Sequence, residues 1–433
     1  MLKTYREILS IPGAFKFSAA GFVARFPMSV VGISQILMIS TLYDSYTLAG
    51  QVAAASVIAF AVCAPILARL VDAYGQARVM IPSITISAVA LTGLVVAGAL
   101  RADPIWLYVF TVIGGATSGS LGSMVRSRWS GVVKNPAQLH TAFAMESTLD
   151  EVVFMVGPVL ATLLTTHVHP TAGLVLTLVL LVSGGYWFLS QRDTEPKPSG
   201  TDSASHRTGS VMLQPVMLTL ALTYIGAGAM FGAIDVATVA FTDELGLKEL
   251  SGVLLGIFAA GSMVAGLLYG AKTWRFELWK LFVIGVIALA VGVTAIGFAS
   301  SVRVMAIVMF ITGFTISPTM INVNSMVQRA VPPRRLTEGL TWMSTAMNIG
   351  VSLGAALAGR FIDQSGSLGG YTIVISASWV MVLVTVIAIP VLRAASRPRP
   401  HRLPLEVRSR RLGLSRMWKP RHNTPRDDDI SSR

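Results

Sequence analysis

Long apolar blocks alternate with short polar segments along the chain as far as about residue 393. A helix needs about twenty apolar residues to cross the hydrocarbon core of a bilayer, and the blocks have that length. A membrane β-barrel would show segments of about ten residues with alternating polarity instead. The pattern therefore predicts an all-α membrane protein with twelve spans, at residues 14–42, 47–68, 79–100, 104–125, 139–166, 170–190, 213–242, 249–271, 277–299, 303–327, 337–362 and 370–392.

One polar interruption, at residues 191–212, is longer than the others and divides the spans into two sets of six. Its Pro, Gly, Ser and charged residues are typical of a flexible cytoplasmic linker. We predict an N-terminal six-helix bundle at 1–190, this linker, a C-terminal bundle at 213–393 and an Arg-rich tail at 394–433. The tail lacks apolar periodicity, which favours disorder. It could contact anionic lipids, and a solvated tail is the alternative.

The two sets of spans resemble each other at equivalent topological positions. A shift of 197 residues superimposes Leu139 on Leu336, Ser147 on Ser344, Thr148 on Thr345 and Gly157 on Gly354. At a slightly different shift, Ala64 and Ala68 of span two fall on Gly266 and Gly270 of span eight. Small residues four positions apart let helices approach closely. We therefore predict two six-helix pseudo-repeats, with a substrate site between them.

The composition excludes several classes of protein. Hydrophobic residues make up 53% of the chain and charged residues only 13%, whereas soluble domains carry about 25% charged residues. The single cysteine, Cys63, rules out a disulfide framework, and we expect neither a metal nor a cofactor. No nucleophile constellation or phosphate-binding loop is present in the sequence, so we expect neither an enzyme nor an ATP-driven pump.

The net charge of +13 is distributed as membrane topology requires. Twelve Lys and Arg residues lie in the last 41 positions, and most others lie in alternate short loops. By the positive-inside rule this asymmetry predicts that both termini are cytoplasmic, in a multi-pass protein of the plasma (inner) membrane. It does not resemble a surface that binds nucleic acid.

The loop between spans two and three reads Ala68-Arg-Leu70-Val-Asp72-Ala-Tyr-Gly75-Gln-Ala-Arg78. We expect Asp72 to lie near the N-terminus of the next helix, where the positive end of the helix dipole attracts a carboxylate. It could also pair with a neighbouring arginine. A contact that exists in one conformation and breaks in the other biases a two-state equilibrium. The alternative is a solvated turn in which Gly75 interrupts the helix.

This loop resembles the Gly-x-Leu-Ala-Asp-Arg-x-Gly-Arg-Arg/Lys motif of the major facilitator superfamily, through Leu70, Asp72 and Gly75. In span five, Val156-Gly157-Pro158 is similar to the core of the antiporter motif of that family. The resemblance covers nearly the whole chain except the tail. It implies that spans one, four, seven and ten line the cavity, that Asp72 latches one state, and that an exported solute is exchanged for protons. A packing kink is the alternative for Gly157 and Pro158.

Ionisable side chains inside the spans are costly to bury, so they are functional candidates. Span five contains Glu146, Asp150 and Glu151, and the first two share a helix face. We expect Glu151 first and Glu146 second to carry protons, with a structural ion pair as the alternative for each. Arg25 in span one is expected to pair with Asp150 or Glu151. The alternatives are that it binds an anionic group of the substrate or that it snorkels to the interface with only a topological role.

Further candidates lie in the other spans. Asp235 in span seven could meet a cationic substrate, carry a second proton or be a hydrogen-bonded structural residue. The uncharged candidates for the substrate cavity are Gln35, Asn322, Asn324, Asn348 and Trp342. For Trp342 the alternative is a buried packing role.

These features favour a proton-driven exporter of a small amphipathic or drug-like solute. The alternatives are proton-coupled uptake of a sugar or organic acid, and a non-transporting receptor or envelope-assembly partner, towards which only the Arg-rich tail points. The expected partners are the solute, protons and the lipid bilayer, and the expected state is a monomer.

Overall fold

The computed structural model describes residues 2–133, 135–198, 210–247, 250–272 and 274–396, and these residues contain no strand. Beyond Ser396 the predicted tail lies outside the described residues, as does the centre of the linker, 199–209.

The N-terminal half contains helices α1 to α9. Their bounds are Leu2–Leu9, Ala14–Arg25, Pro27–Tyr43, Tyr46–Tyr74, Gln76–Ala99, Pro104–Thr117, Leu121–Val132, Pro136–His167 and Ala172–Ser190. Span one consists of α2 and α3, because Pro27 begins a new helix. Span four consists of α6 and α7, which meet near Gly119, where φ is 62°. A side chain is disfavoured at this φ and would also meet Met80.

The C-terminal half contains helices α10 to α16. Their bounds are Pro215–Glu244, Ser251–Gly270, Leu278–Ile296, Val302–Gly313, Ile316–Ala330, Leu336–Ile387 and Ile389–Ser396. Span ten is divided between α13 and α14, at the position equivalent to the break in span four. Helix α15 holds two spans, because its backbone leaves the helical region at Ser365 and Gly366.

Eleven helical segments of the described residues are long and apolar enough to cross a membrane. One of them, Pro333–Ile387, contains the break in α15 and therefore supplies two spans. The predicted fold of twelve spanning helices is confirmed.

Glycines bring helices into close contact within the C-terminal half. Gly228 and Gly232 of α10 lie against Gly350 and Gly354 of α15, and a Cβ atom on any of the four would meet the backbone of the opposite helix. In the N-terminal half, Gly157 of α8 leaves room for the Ser29 hydroxyl of α3. Spans one and five therefore pack as spans seven and eleven do, through small residues at equivalent positions.

The described ends of the linker are bound to the bundle. Arg128 donates to the Gln191 carbonyl at 2.8 Å and to Thr194 Oγ1 at 3.1 Å, and Glu195 accepts from the Ala77 amide at 3.1 Å. At the other end Ser210 donates to Glu338 at 3.2 Å. We call this end of the bundle, with α1 and the linker, the linker end, and the opposite end the far end.

Candidate functional site

Four charged side chains from spans one, four and five form an ion-pair network inside the N-terminal half. Arg25 donates to Glu146 through Nη2 and to Asp150 through Nη1, the latter at 2.6 Å. The second Asp150 oxygen accepts from Arg126 at 2.6 Å. The side chains of Arg25 and Glu146 are completely buried. Two cations balance two anions, which lowers the cost of placing them in a membrane domain.

The predicted pairing of Arg25 with Asp150 is confirmed, but its second partner is Glu146 rather than Glu151. Glu146 and Asp150 are four residues apart on one face of α8, so a single guanidinium reaches both. Glu146 also accepts from Ser18 Oγ and Trp129 Nε1, each at 2.7 Å. These donors favour the ion-pair alternative for Glu146 over a role as a proton carrier.

Glu151 points away from this network, because the next residue of a helix is rotated by about 100°. Its Oε1 accepts from Ser262 Oγ of α11 at 2.7 Å, and Ser262 Oγ lies 2.9 Å from Ser317 Oγ of α14. Glu151 therefore contacts the C-terminal half, whereas Glu146 and Asp150 are bound by the N-terminal half. No ion pair of Glu151 occurs among the described residues.

The two halves meet at the linker end along two seams. In the first seam, between α4 and α15, the buried Glu338 carboxylate accepts from Arg69 at 2.8 Å and from Arg335 at 2.7 Å. Asp72 accepts from the Glu338 amide at 2.9 Å, so it caps the N-terminus of α15.

The contact of Asp72 corrects the sequence prediction, which placed it at the N-terminus of the next helix, α5. At the N-terminus of α5, Glu195 from the linker accepts a hydrogen bond from the Ala77 amide instead. Gly75, with φ of 101°, ends α4, and a Cβ on it would meet the Glu195 carboxylate at 2.9 Å. Arg78 is exposed, and no hydrogen bond or ion pair is described for it. Whether this loop acts as a latch stays a prediction.

The second seam lies between α8 and α11. Thr141 Oγ1 donates to the Gly270 carbonyl at 2.8 Å, and a Cβ on Gly270 would collide with Ala144. Tyr5 of α1 lies across this seam and donates to the Leu267 carbonyl at 2.8 Å. Burial raises the pKa of Tyr5 to about 12, so its hydroxyl keeps the donated proton near neutral pH.

The pseudo-symmetry relates the two seams, because the 197-residue shift superimposes Thr141 on Glu338. The predicted small residues also take part, since Gly266 and Gly270 lie against Thr148 and Ala144 of α8. The structure therefore shows the two halves in contact at the linker end.

Asp235 of α10 is exposed, and no hydrogen bond or ion pair is described for it. Eleven residues separate it from Tyr224, which is three helical turns and the same face. Tyr224 lies within electrostatic range of Arg126 and Asp150 in the other half. Asp235 therefore lies about 16 Å nearer the far end than Tyr224, on the same side of α10.

The uncharged candidates for the substrate cavity differ in their burial and in their hydrogen-bond partners. Gln35 is buried within the N-terminal half and donates to Thr111 at 3.0 Å. Asn322 accepts from Tyr269 at 2.9 Å, and Asn324 is buried. Asn348 is exposed, and Trp342 packs against the core of the C-terminal half. Their contact with a substrate stays a prediction.

Sequence reasoning missed Glu338, Ser262, Ser317 and Tyr5. A signal for Glu338 is available, because it is a carboxylate at the second position of a predicted span and the repeat aligns it with Thr141. Serines within apolar helices carry no comparable signal, because they often bond their own helix backbone.

The family model for the Major Facilitator Superfamily matches residues 17–279 and again residues 220–425. The chain belongs to the Major Facilitator Superfamily. It is therefore a multi-pass membrane protein of a family of transporters, as the resemblance implied.

Known members of the superfamily resemble this chain over most of its length. The uncharacterized MFS-type transporter y4rN of Sinorhizobium fredii (strain NBRC 101917 / NGR234) is 24% identical over 391 residues, which cover 86% of this chain and 95% of that protein.

Two solved structures show the same fold. A bacterial homologue of the iron transporter ferroportin, in an outward-facing state, has a TM-score of 0.66 at 16% identity and covers 88% of this chain and 99% of that one. The human organic anion transporter MFSD10 (TETRAN) has a TM-score of 0.63 at 13% identity, with the same coverage.

Proposed function

We propose that this protein exports a small amphipathic solute by alternating access, in exchange for protons. The charge asymmetry of the loops supports a plasma-membrane location with the linker end in the cytoplasm. On this orientation the two seams close the cytoplasmic side of the cavity, and their opening would admit the solute from the cytoplasm.

The position of Glu151 between the two halves is the observation that supports the proposed proton coupling. It belongs to one half and is hydrogen-bonded by Ser262 of the other half at 2.7 Å. When the halves separate at the linker end, this bond must break and water must reach the carboxyl group. A carboxyl group that is enclosed in one state and hydrated in the other has a different proton affinity in each. Glu151 can therefore take up a proton in one state and release it in the other.

Two features support export of an amphipathic solute. The Gly157-Pro158 element lies two turns beyond Glu151 on the same helix, and it resembles the motif of antiporters. The second feature is the composition of the spans, in which most residues are apolar. An apolar lining with a few charged groups suits a drug-like molecule.

Replacing Glu151 with glutamine is expected to uncouple proton movement from solute movement. The amide keeps the hydrogen bond to Ser262 but cannot ionise, so solute gradients should no longer drive protons. The measurement is the internal pH of proteoliposomes on addition of each member of a solute panel, together with uptake of the solute.

The matched control is Glu277→Gln, because Glu277 is exposed in a loop at the linker end. The control should behave as the wild type. Solute-driven proton movement that persists in Glu151→Gln would remove this residue from the coupling mechanism.

A further inference from the structure

We infer that the transported solute is an organic cation, whose charge is recognised by Asp235 and Glu151. This inference rests on the proposed transport function and names its substrate class. It follows from which charges in the middle of the bundle are compensated and which are not.

The arginine side chains that the structure describes in the middle of the bundle are already neutralised by carboxylates. Arg25 is bound by Glu146 and Asp150, and Arg126 is bound by Asp150. An anionic solute would have to displace one of these short charge-assisted bonds, and so would leave a buried carboxylate without a partner. The network therefore offers no free positive charge to an anion.

Two carboxyl groups at the gap are not neutralised by any ion pair of the described residues. Glu151 is hydrogen-bonded by the hydroxyl of Ser262 on α11. Asp235 is exposed on α10, one turn beyond Phe231, whose ring meets Phe258 of that same helix α11. A cleft with low-dielectric walls strengthens the field of such charges, which attracts cations and repels anions.

A pair of aromatic rings lies one helical turn from Asp235. Phe231 precedes it by one turn on the same helix face, and its ring centroid is 6.3 Å from that of Phe258 on α11. Aromatic faces bind organic ammonium and phosphonium groups by cation–π and apolar contact. The arrangement suits a lipophilic cation better than a small inorganic cation, which requires several oxygen ligands.

Tetraphenylphosphonium and tetraphenylborate provide the test, because they share a shape and differ in the sign of their charge. Binding of radiolabelled tetraphenylphosphonium is measured by equilibrium dialysis of the full chain in lipid nanodiscs. Tetraphenylborate and the neutral triphenylphosphine oxide are the competitors. We expect saturable binding of the cation, weak competition by both analogues, and proton release in a lightly buffered solution.

Variants identify the residues that bind the cation and release the proton. Asp235→Asn should weaken cation binding about tenfold, which corresponds to the loss of one charge contact, and Asp235→Glu should retain most of it. Glu151→Gln should abolish proton release on binding. Asp193→Asn, at an exposed linker position, is the matched control and should bind as the wild type, and melting curves verify that each variant is folded.

Equal competition by tetraphenylborate, or unchanged affinity in Asp235→Asn, would overturn the inference. If instead a neutral or anionic solute drives protons through Glu151 in proteoliposomes, the cation assignment fails while the proposed function stands. If the cation binds through Asp235 and no solute moves protons, the coupling fails and the charge assignment stands.

Discussion

Replacement of Arg25 by alanine is expected to destabilise the protein by about 3–5 kcal/mol, the usual cost of removing one partner of a buried ion pair. The reason is the completely buried Glu146 carboxylate, which would lose its cationic partner. Asp150 keeps Arg126, so most of the cost arises at Glu146. The apparent melting temperature and the yield of monodisperse protein in detergent measure the effect.

Two further variants separate lost charge balance from lost packing. Arg303→Ala removes an exposed arginine at the far end and should leave the melting temperature unchanged. The double variant Arg25→Met with Glu146→Gln removes both charges and should recover much of the stability. Full stability of Arg25→Ala alone would show that the network is not needed to hold spans one and five together.

Replacement of Gly354 by leucine is expected to prevent α10 and α15 from packing, with a cost of at least about 3 kcal/mol. A Cβ atom at this position would overlap the Ala229 carbonyl on the opposite helix. A backbone carbonyl cannot move aside as a flexible side chain can, so the helices must separate. We expect little or no folded protein by size-exclusion chromatography.

Gly359 supplies the control on the same helix, because no atom lies within 4 Å of a Cβ built there. Gly359→Leu should fold normally and melt near the wild-type temperature, since Leu also favours the helix more than Gly does. Equal behaviour of the two variants would refute the close contact of spans seven and eleven.

The sequence predicts the spans and their division well, because the bilayer demands long apolar helices. The position of Glu151 relative to Glu146 and Asp150 also follows from helix geometry alone, since residue 151 lies off the face that the other two share. Even the pairing of Arg25 with Asp150 is accessible, because a buried arginine needs a carboxylate.

Contacts between distant helices were harder to predict. Asp72 and Glu195 both cap helices beside Gly75, but they cap α15 and α5 respectively. Local sequence favours α5 for Asp72, and only the packing of the two halves brings α15 to it. The partner of Glu151 was missed for the same reason, because Ser262 belongs to the other half.

The most direct test of alternating access is a pair of spin-label distances across the two halves. Cysteines replace Arg78 and Phe276 at the linker end, or Leu100 and Phe298 at the far end, with Cys63→Ser as background. These exposed positions are equivalent in the two repeats. Each labelled pair is also prepared with Asp72→Asn, which weakens the first seam.

We predict that Asp72→Asn populates a second state, in which the distance between positions 78 and 276 is longer and the distance between positions 100 and 298 is shorter. Two distances that stay fixed, or that lengthen together, would contradict a rocking motion of the two halves that breaks the Glu151–Ser262 bond.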